Sequence, residues 1–231
     1  MKKIIIVLAL LNFAVFAQNT FTDPRDGKKY KTVKIGKQTW MAQNLDYHGE
    51  DGYLGLCYGD KPKEGIRKPE NCEIYGRLYD DAEAKKACPK RWHLPSSKEW
   101  QTLVDFAGGY EKAEKKLKAK NGWWEYDFSK ESPEAPKCKW TEEKMDNRGR
   151  VIVTEHDYCV TDEYGFSALP GGYGDSDGSF DSVGSGGFWR SANESNSDLA
   201  YYQYMSYRSD DPKPWYYTNK STLLSVRCVQ D

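Results

Sequence analysis

The sequence predicts an α+β domain: two main helices packed on a loop-rich, mainly antiparallel sheet and stapled by disulfides. Three observations lead there. Residues 97–107 carry every local mark of an amphipathic helix. Several separate stretches alternate apolar and polar residues over strand lengths, between turns rich in Gly, Asp and Pro. Six cysteines, Cys57, Cys72, Cys88, Cys138, Cys159 and Cys228, follow an apolar N-terminal segment. An even count in that context reads as a disulfide framework.

Taken in order, residues 1–17 read as a secretory signal peptide. Lys2 and Lys3 precede a short apolar run, and Val15-Phe16-Ala17 supplies a cleavage site. The run is short for a transmembrane helix and Asn12 interrupts it. No Cys follows the cleavage site to carry a lipid, and no later run is long enough to span a bilayer. Residues 18–26 read as a short lead with turns at Asp23-Pro24 and Asp26-Gly27. A single domain is expected over residues 27–231.

Residues 30–40 read as a hairpin turning at Gly36-Lys37, with Ile35 facing Gln38 and Val33 facing Trp40. Residues 47–72 are polar and rich in Gly, Lys and Pro, so they read as an excursion loop. Residues 75–87 form a helix candidate ended by Pro89. The next helix is better specified. Pro95 biases Leu94 to extended backbone. Ser96 and Glu99 have capping-box spacing. Trp100, Leu103, Val104 and Ala107 form one apolar stripe, and Gly108-Gly109 stops the helix. Residues 111–120 add a short charged helix with i, i+4 pairs such as Glu114 and Lys118.

Residues 138–159 read as a stapled hairpin, with its turn at 147–149 and a strand at 150–154. Residues 170–187 are rich in Gly, Ser and Asp and read as loop. Strands are expected at 188–191, 200–207, 215–217 and 223–229. Six cysteines allow 15 pairings. Their order suggests Cys57–Cys72 and Cys138–Cys159 as local loops, with Cys88–Cys228 as the long-range tie.

The charge balance is 34 basic against 35 acidic residues, a formal net −1, which favours neither nucleic acid nor an anionic membrane. Metal-ligand spacings such as C-x-x-C or H-E-x-x-H do not occur, and no G-x-S-x-G elbow is present. Of the histidines, His93 reads as structural and Glu99 as a capping residue. Asp175, Asp177 and Asp181 sit at spacings that could offer oxygen ligands to calcium, but lack the closing Glu of an EF-hand. Ordinary turns explain them at least as well; no other cofactor is expected.

Five blocks carry a resemblance to a known family. They are YKTVKIGKQTWMAQNL at 30–45, NCEIYGRLY at 71–79, CPKRWHLPSSKEW at 88–100, GFSALPGGY at 165–173 and SVRCV at 225–229. In this order they resemble the Fibrobacter succinogenes major paralogous domain, with the hairpin at 138–159 as a local elaboration. That family is similar to the formylglycine-generating-enzyme and C-type-lectin-like folds. The resemblance implies a secreted or surface-exposed bacterial protein, terminal strands lying together, and a helix tied to the last strand. Cys88–Cys228 would supply such a tie. A formylglycine-generating enzyme uses a late pair of cysteines to hold copper. Here only Cys228 follows Cys159, so that activity is not expected to carry over.

The expected function is a secreted, non-enzymatic module binding extracellular polysaccharide or a surface protein. A diverged oxidase or carbohydrate-active hydrolase, and a purely structural surface module, are the alternatives. Tyr and Trp are abundant, at 17 and 8, and suit partly exposed binding surfaces. Trp189, Tyr202, Tyr204, Tyr207, Trp215 and Tyr216 cluster beside the Gly-rich segment and are the expected ligand contacts. Period-two alternation separates Tyr202 and Tyr204 from Tyr201 and Tyr207, but does not say which set faces water.

Overall fold

The fold is described from a computed structural model for residues 18–123, 139–157, 159–207 and 216–231. Residues 1–17, expected to be a signal peptide, and Cys138 and Trp215 lie outside the described residues.

The chain opens with β1 (Gln18–Thr22) running antiparallel to β2 (Lys29–Ile35). Residues 18–26 are therefore more than a lead. The segment is too polar to announce a strand, and β2 supplies its pairing. A turn through Gly36, at φ 58°, leads into β3 (Gln38–Met41). Ile35 pairs with Gln38 and Val33 with Trp40, the expected register. In β2 the apolar residues Tyr30, Val33 and Ile35 are buried while Lys29, Lys31 and Lys34 are exposed.

Within the long excursion, Cys57 and Cys72 form a disulfide. Helix α1 (Pro69–Tyr75) starts at Pro69 and ends at Gly76, whose N–H donates to Cys72 O. Strand β4 (Leu78–Tyr79) and helix α2 (Asp81–Ala87) follow. The single helix expected over 75–87 is thus corrected. Gly76 has φ 74°, Leu78 and Tyr79 are drawn into a sheet, and Asp80 with Glu83 restarts the helix through a capping box. Next come β5 (Trp92–His93), α3 (Ser97–Phe106) and α4 (Tyr110–Leu117). Ser96 and Glu99 form the expected capping box, and Trp100, Leu103, Val104 and Ala107 are all buried. Glu114 and Lys118 pair at 2.8 Å, in a buried position rather than on a solvated face.

Strands β6 (Lys139–Met145) and β7 (Val151–Asp157) form a separate hairpin. Cys159 is disulfide-bonded. The segment expected to be loop at 170–187 contains β8 (Gly171–Gly174) and β9 (Phe180–Val183), an antiparallel pair. Glycine density argues against strand by propensity, yet here it permits close approach. A Cβ on Gly174 would lie 2.9 Å from Phe180, its cross-strand partner. Then follow β10 (Gly186–Glu194), β11 (Leu199–Ser206) and β12 (Tyr216–Asn219). The closing strand is split into β13 (Leu224–Ser225) and β14 (Val229–Gln230), because Val226, Arg227 and Cys228 carry the chain from one sheet to the other.

One sheet has the order β1-β2-β3-β14-β5 and the other β12-β11-β10-β13-β4, with β8 joining β10 and β9 joining β8. Most pairs are antiparallel, but β10 runs parallel to β13 and β8. The class is α+β, with two disulfides, Cys57–Cys72 and Cys88–Cys228, among the described residues. The main core holds Trp40, Trp100, Phe166 and Trp189, with Trp40 and Trp100 ring centroids 4.8 Å apart and Trp100 and Trp189 6.2 Å apart. Full burial of each such side chain contributes about 2–3 kcal/mol. A second cluster, including Tyr79, Ala84, Trp92 and Cys228, lies under α2. No helix among the described residues is long and apolar enough to cross a membrane.

Candidate functional site

The two faces of β10 and β11 have opposite fates, and the register shows which residues go where. Directly opposed residues in an antiparallel pair share a face. Trp189 opposes Gln203, and Gly187 opposes Met205. This face packs on α3, and Trp189, Gln203 and Met205 are buried. Phe188 opposes Tyr204, Arg190 opposes Tyr202, and Tyr202 in turn opposes Tyr216 on β12. Phe188, Tyr202, Tyr204 and Tyr216 are half-buried, so their rings reach solvent.

These rings form one continuous strip. Tyr173 of β8 meets Phe188 edge-on at 5.1 Å, and Phe188 lies 4.8 Å from Tyr204. Tyr216 closes the series, stacked on Tyr202 at 5.6 Å and edge-on to Tyr204 at 5.4 Å. From β8 to β12 the strip crosses three strand-to-strand steps, about 14 Å. Gly186 makes this packing possible, since a Cβ there would lie 2.6 Å from the Phe188 ring. On the other face a Cβ at Gly187 would overlap the Trp189 indole. Burial raises the pKa of Tyr202 to about 12 and that of Tyr173 above its ordinary value, so both remain hydroxyl donors at neutral pH.

Of the expected contacts, Tyr202, Tyr204 and Tyr216 come together. Trp189 does not join them; it is wholly buried and its indole N–H donates to Asn44 Oδ1 at 2.8 Å. Tyr207 is half-buried beyond the end of β11, outside the chain of ring contacts just described. Trp215 lies outside the described residues. Phe188 and Tyr173 were missed. Phe188 sits one residue from Trp189 and therefore faces the other way, and Tyr173 looked like part of a loop.

Beside the strip, α2 docks on the end of the sheet. Asp81 N–H donates to Lys220 O at 2.9 Å. Glu194 of β10 accepts from Lys220 at 2.7 Å and from Lys85, and these ammonium groups hold its pKa down to about 2.

The acidic residues of the β8–β9 hairpin are each engaged in local turn bonds. Asp177 accepts from both the N–H and hydroxyl of Ser179, and Asp181 accepts from the N–H of Ser182. Asp175 closes the turn through backbone bonds with Ser179 and Gly178. Among the described residues no three His, Cys, Asp or Glu side chains are grouped to hold a metal ion.

A second polar cluster superficially resembles a catalytic triad. His93 Nδ1 lies 2.7 Å from Asp231 Oδ1, and Nε2 lies 2.7 Å from Glu99 Oε1. With a carboxylate on each ring nitrogen, both positions favour N–H, and no lone pair is free to accept a proton from a nucleophile. Ser96 Oγ donates to Glu99 Oε2 rather than to the imidazole. Partial burial opposes the charge on His93, but the bonds to Asp231 and Glu99 outweigh it and raise the pKa above 6.5. Burial pushes Glu99 up, and its bonds to Ser96 and His93 take the net shift below 4.5. The raised histidine stabilises the fold below pH 6.5, and that contribution disappears as pH climbs through its folded pKa. The lowered glutamate stabilises above pH 4.5, and that contribution disappears as pH falls through its folded pKa. The clasp is therefore strongest between these values. The His93 side chain is 40% exposed, so its loss is expected to cost no more than about 1 kcal/mol. Thermal melts from pH 4 to 9 should show a modest fall above pH 6.5 that is absent in His93→Gln. An identical fall in the variant would assign the effect elsewhere.

A family model described as the Fibrobacter succinogenes major domain matches residues 33–230. No curated protein and no solved structure matches the chain.

Proposed function

The chain belongs to the Fibrobacter succinogenes major domain family, and we propose that it is a non-catalytic extracellular or cell-surface module that binds carbohydrate through the strip of Tyr173, Phe188, Tyr202, Tyr204 and Tyr216. The observation carrying this reading is the continuity of those half-exposed rings across four strands. The apolar C–H faces of sugars stack on flat rings, while tyrosine hydroxyls supply hydrogen bonds at the edges. A contiguous aromatic surface of this kind is uncommon without a binding role. Export through the N-terminal segment fits the disulfides, which persist in oxidising compartments.

The frame is consistent with a C-type-lectin-like or formylglycine-generating-enzyme-like arrangement. Strand β14 lies between β3 and β5, so the early and last strands are neighbours. Cys88, at the end of α2, is bonded to Cys228 just before β14. These two features support that reading.

The test is retention on insoluble polysaccharides together with a glycan array. Tyr202→Ala and Tyr216→Ala are each expected to weaken binding about two- to tenfold, the worth of one aromatic contact. Tyr217 is 60% exposed and alternates to the opposite face of β12, so Tyr217→Ala should bind as the unmodified protein does. If folded protein is retained by no polysaccharide, the carbohydrate reading fails.

A further inference from the structure

The rings of the strip touch one another but do not share a plane. Tyr173 stands at 71° to Phe188, and Tyr204 at 77° to Tyr216. Phe188 is turned 37° from Tyr204 and 44° from Tyr202. Tyr202 and Tyr216, 26° apart, come nearest to a common orientation. A flat surface laid against Phe188 therefore meets Tyr173 nearly on edge, and one laid against Tyr216 meets Tyr204 in the same way. The sheet itself supplies part of this turn. Neighbouring strands rotate by about 20–25°, so the three steps from β8 to β12 accumulate roughly 60–75° of twist, and side chains standing on that surface follow it.

The rings are also recessed. All five are half-buried, whereas Tyr217 on the opposite face of β12 is 60% exposed. Gly186 shows how two of them are lowered. A Cβ there would lie 2.6 Å from the Phe188 ring and 3.3 Å from the Tyr204 ring, so both rings lean over a residue that has no side chain.

We propose that the strip selects a single solvated polysaccharide chain, dissolved or in an amorphous solid, over the flat face of a polysaccharide crystal. This rests on the strip being a carbohydrate surface. Sugar units stack through their C–H faces, so a ring contributes fully only when its plane lies along that of the unit it meets. In a crystal face the units are fixed in one plane, and one plane serves only some of these rings. In a free chain the glycosidic torsions turn successive units, so each unit can follow the ring beneath it. Ordering those torsions costs conformational entropy, and the additional ring contacts offset it.

The experiment measures affinity of the full chain for cellulose, chitin and mannan, each as a crystalline powder and as a swollen amorphous solid, compared per unit of accessible area. Soluble oligosaccharides of the same three polymers are titrated alongside. For whichever polymer is bound, the swollen form is expected to hold the protein about tenfold more tightly than the crystal, the worth of one or two aromatic contacts. Affinity for the oligosaccharides should rise with length until the chain spans the strip, about 14 Å, and then level off. Gly186 does not have the left-handed backbone that favours glycine, so Gly186→Ala has only to displace the two rings above it. It should weaken binding to the swollen form about two- to tenfold. Equal or tighter holding by the crystalline form overturns the single-chain reading while leaving the strip in place. So does an affinity that does not change with oligosaccharide length, or a folded Gly186→Ala protein that binds as the unmodified one does. Failure to bind any form of the three polymers overturns the strip reading itself. Should Gly186→Ala not fold, the preference of the unmodified protein between the two solid forms still decides.

Discussion

Replacing Asn44 with Ala is expected to destabilise the domain by about 3–6 kcal/mol, a large part of the stability of a chain this size. Asn44 is buried where the two sheets meet. Its Oδ1 accepts from Trp189 Nε1 at 2.8 Å, from Arg227 Nη2 at 2.8 Å and from Arg227 Nε at 3.1 Å. Its Nδ2 donates to Tyr75 O at 2.8 Å and to Ser225 Oγ at 3.3 Å. Arg227 is wholly buried, and burial pulls its pKa down to about 9, so it is still charged at neutral pH. Its other contacts are the carbonyls of Phe166 and Ser167 and the Phe166 ring, 4.4 Å from the guanidinium. Among the described residues no carboxylate bonds to it directly. Asn44→Ala therefore leaves two N–H groups of a buried cation and one indole N–H without an acceptor. Asn44→Asp keeps the acceptor and adds a charge opposite Arg227, but loses the two donations from Nδ2. It should cost about 1–2 kcal/mol, the worth of those bonds. Urea denaturation reads both effects as midpoint shifts at constant slope. If the two variants fall together within 1 kcal/mol of the parent, Oδ1 is not what holds Arg227.

This network also marks where the sequence stops being informative. Arg227 and Arg190 read as surface residues by type, since arginine is seldom buried. What buries Arg227 is a partner 183 residues away in the chain, and no local pattern carries that. The features that were legible are local. The capping box at Ser96 and Glu99, the stripe behind it and the register across Gly36 each rest on residues within one or two turns. The split of 75–87 was only half local. The Asp80–Glu83 box was present in the sequence, but the pull of β13 on Leu78 and Tyr79 was not. The aromatic face shows the same limit. Alternation sorted Tyr202 and Tyr204 correctly from their neighbours, but both faces of β11 are apolar. Which one faces the core was decided by α3, through Trp100 against Trp189. The Gly-rich stretch 171–187 hid strands because glycine lowers strand propensity. Its glycines are there for close approach, with Tyr58 against Gly172 and Phe188 against Gly186.

Removing the Cys88–Cys228 disulfide should cost more than removing Cys57–Cys72, although both pairs join well-packed parts of the molecule. The first closes a loop with sequence separation 140 and the second one of 15. Loop-closure entropy then puts the losses at about 5 and about 3 kcal/mol. Position widens the gap. Cys228 is wholly buried in the second core cluster, and its carbonyl accepts from Met41 N–H at 3.0 Å. Val229 follows at once and pairs with both Trp40 and His93, so β14 is the seam of the first sheet. Freeing Cys88 from Cys228 releases α2 from that seam, and α2 carries Asp81 and Lys85 to the edge of the aromatic strip. The double substitution Cys88→Ala, Cys228→Ala should therefore lower both the urea midpoint and polysaccharide retention at a temperature where the protein is still folded. Cys57→Ala, Cys72→Ala should lower the midpoint by a smaller amount and spare retention. Alanine suits both tests because Cys57, Cys72 and Cys228 are buried and a serine hydroxyl would need a partner. Equal losses from the two double variants would mean that the unfolded chain, not the seam at β14, sets the stability of this fold.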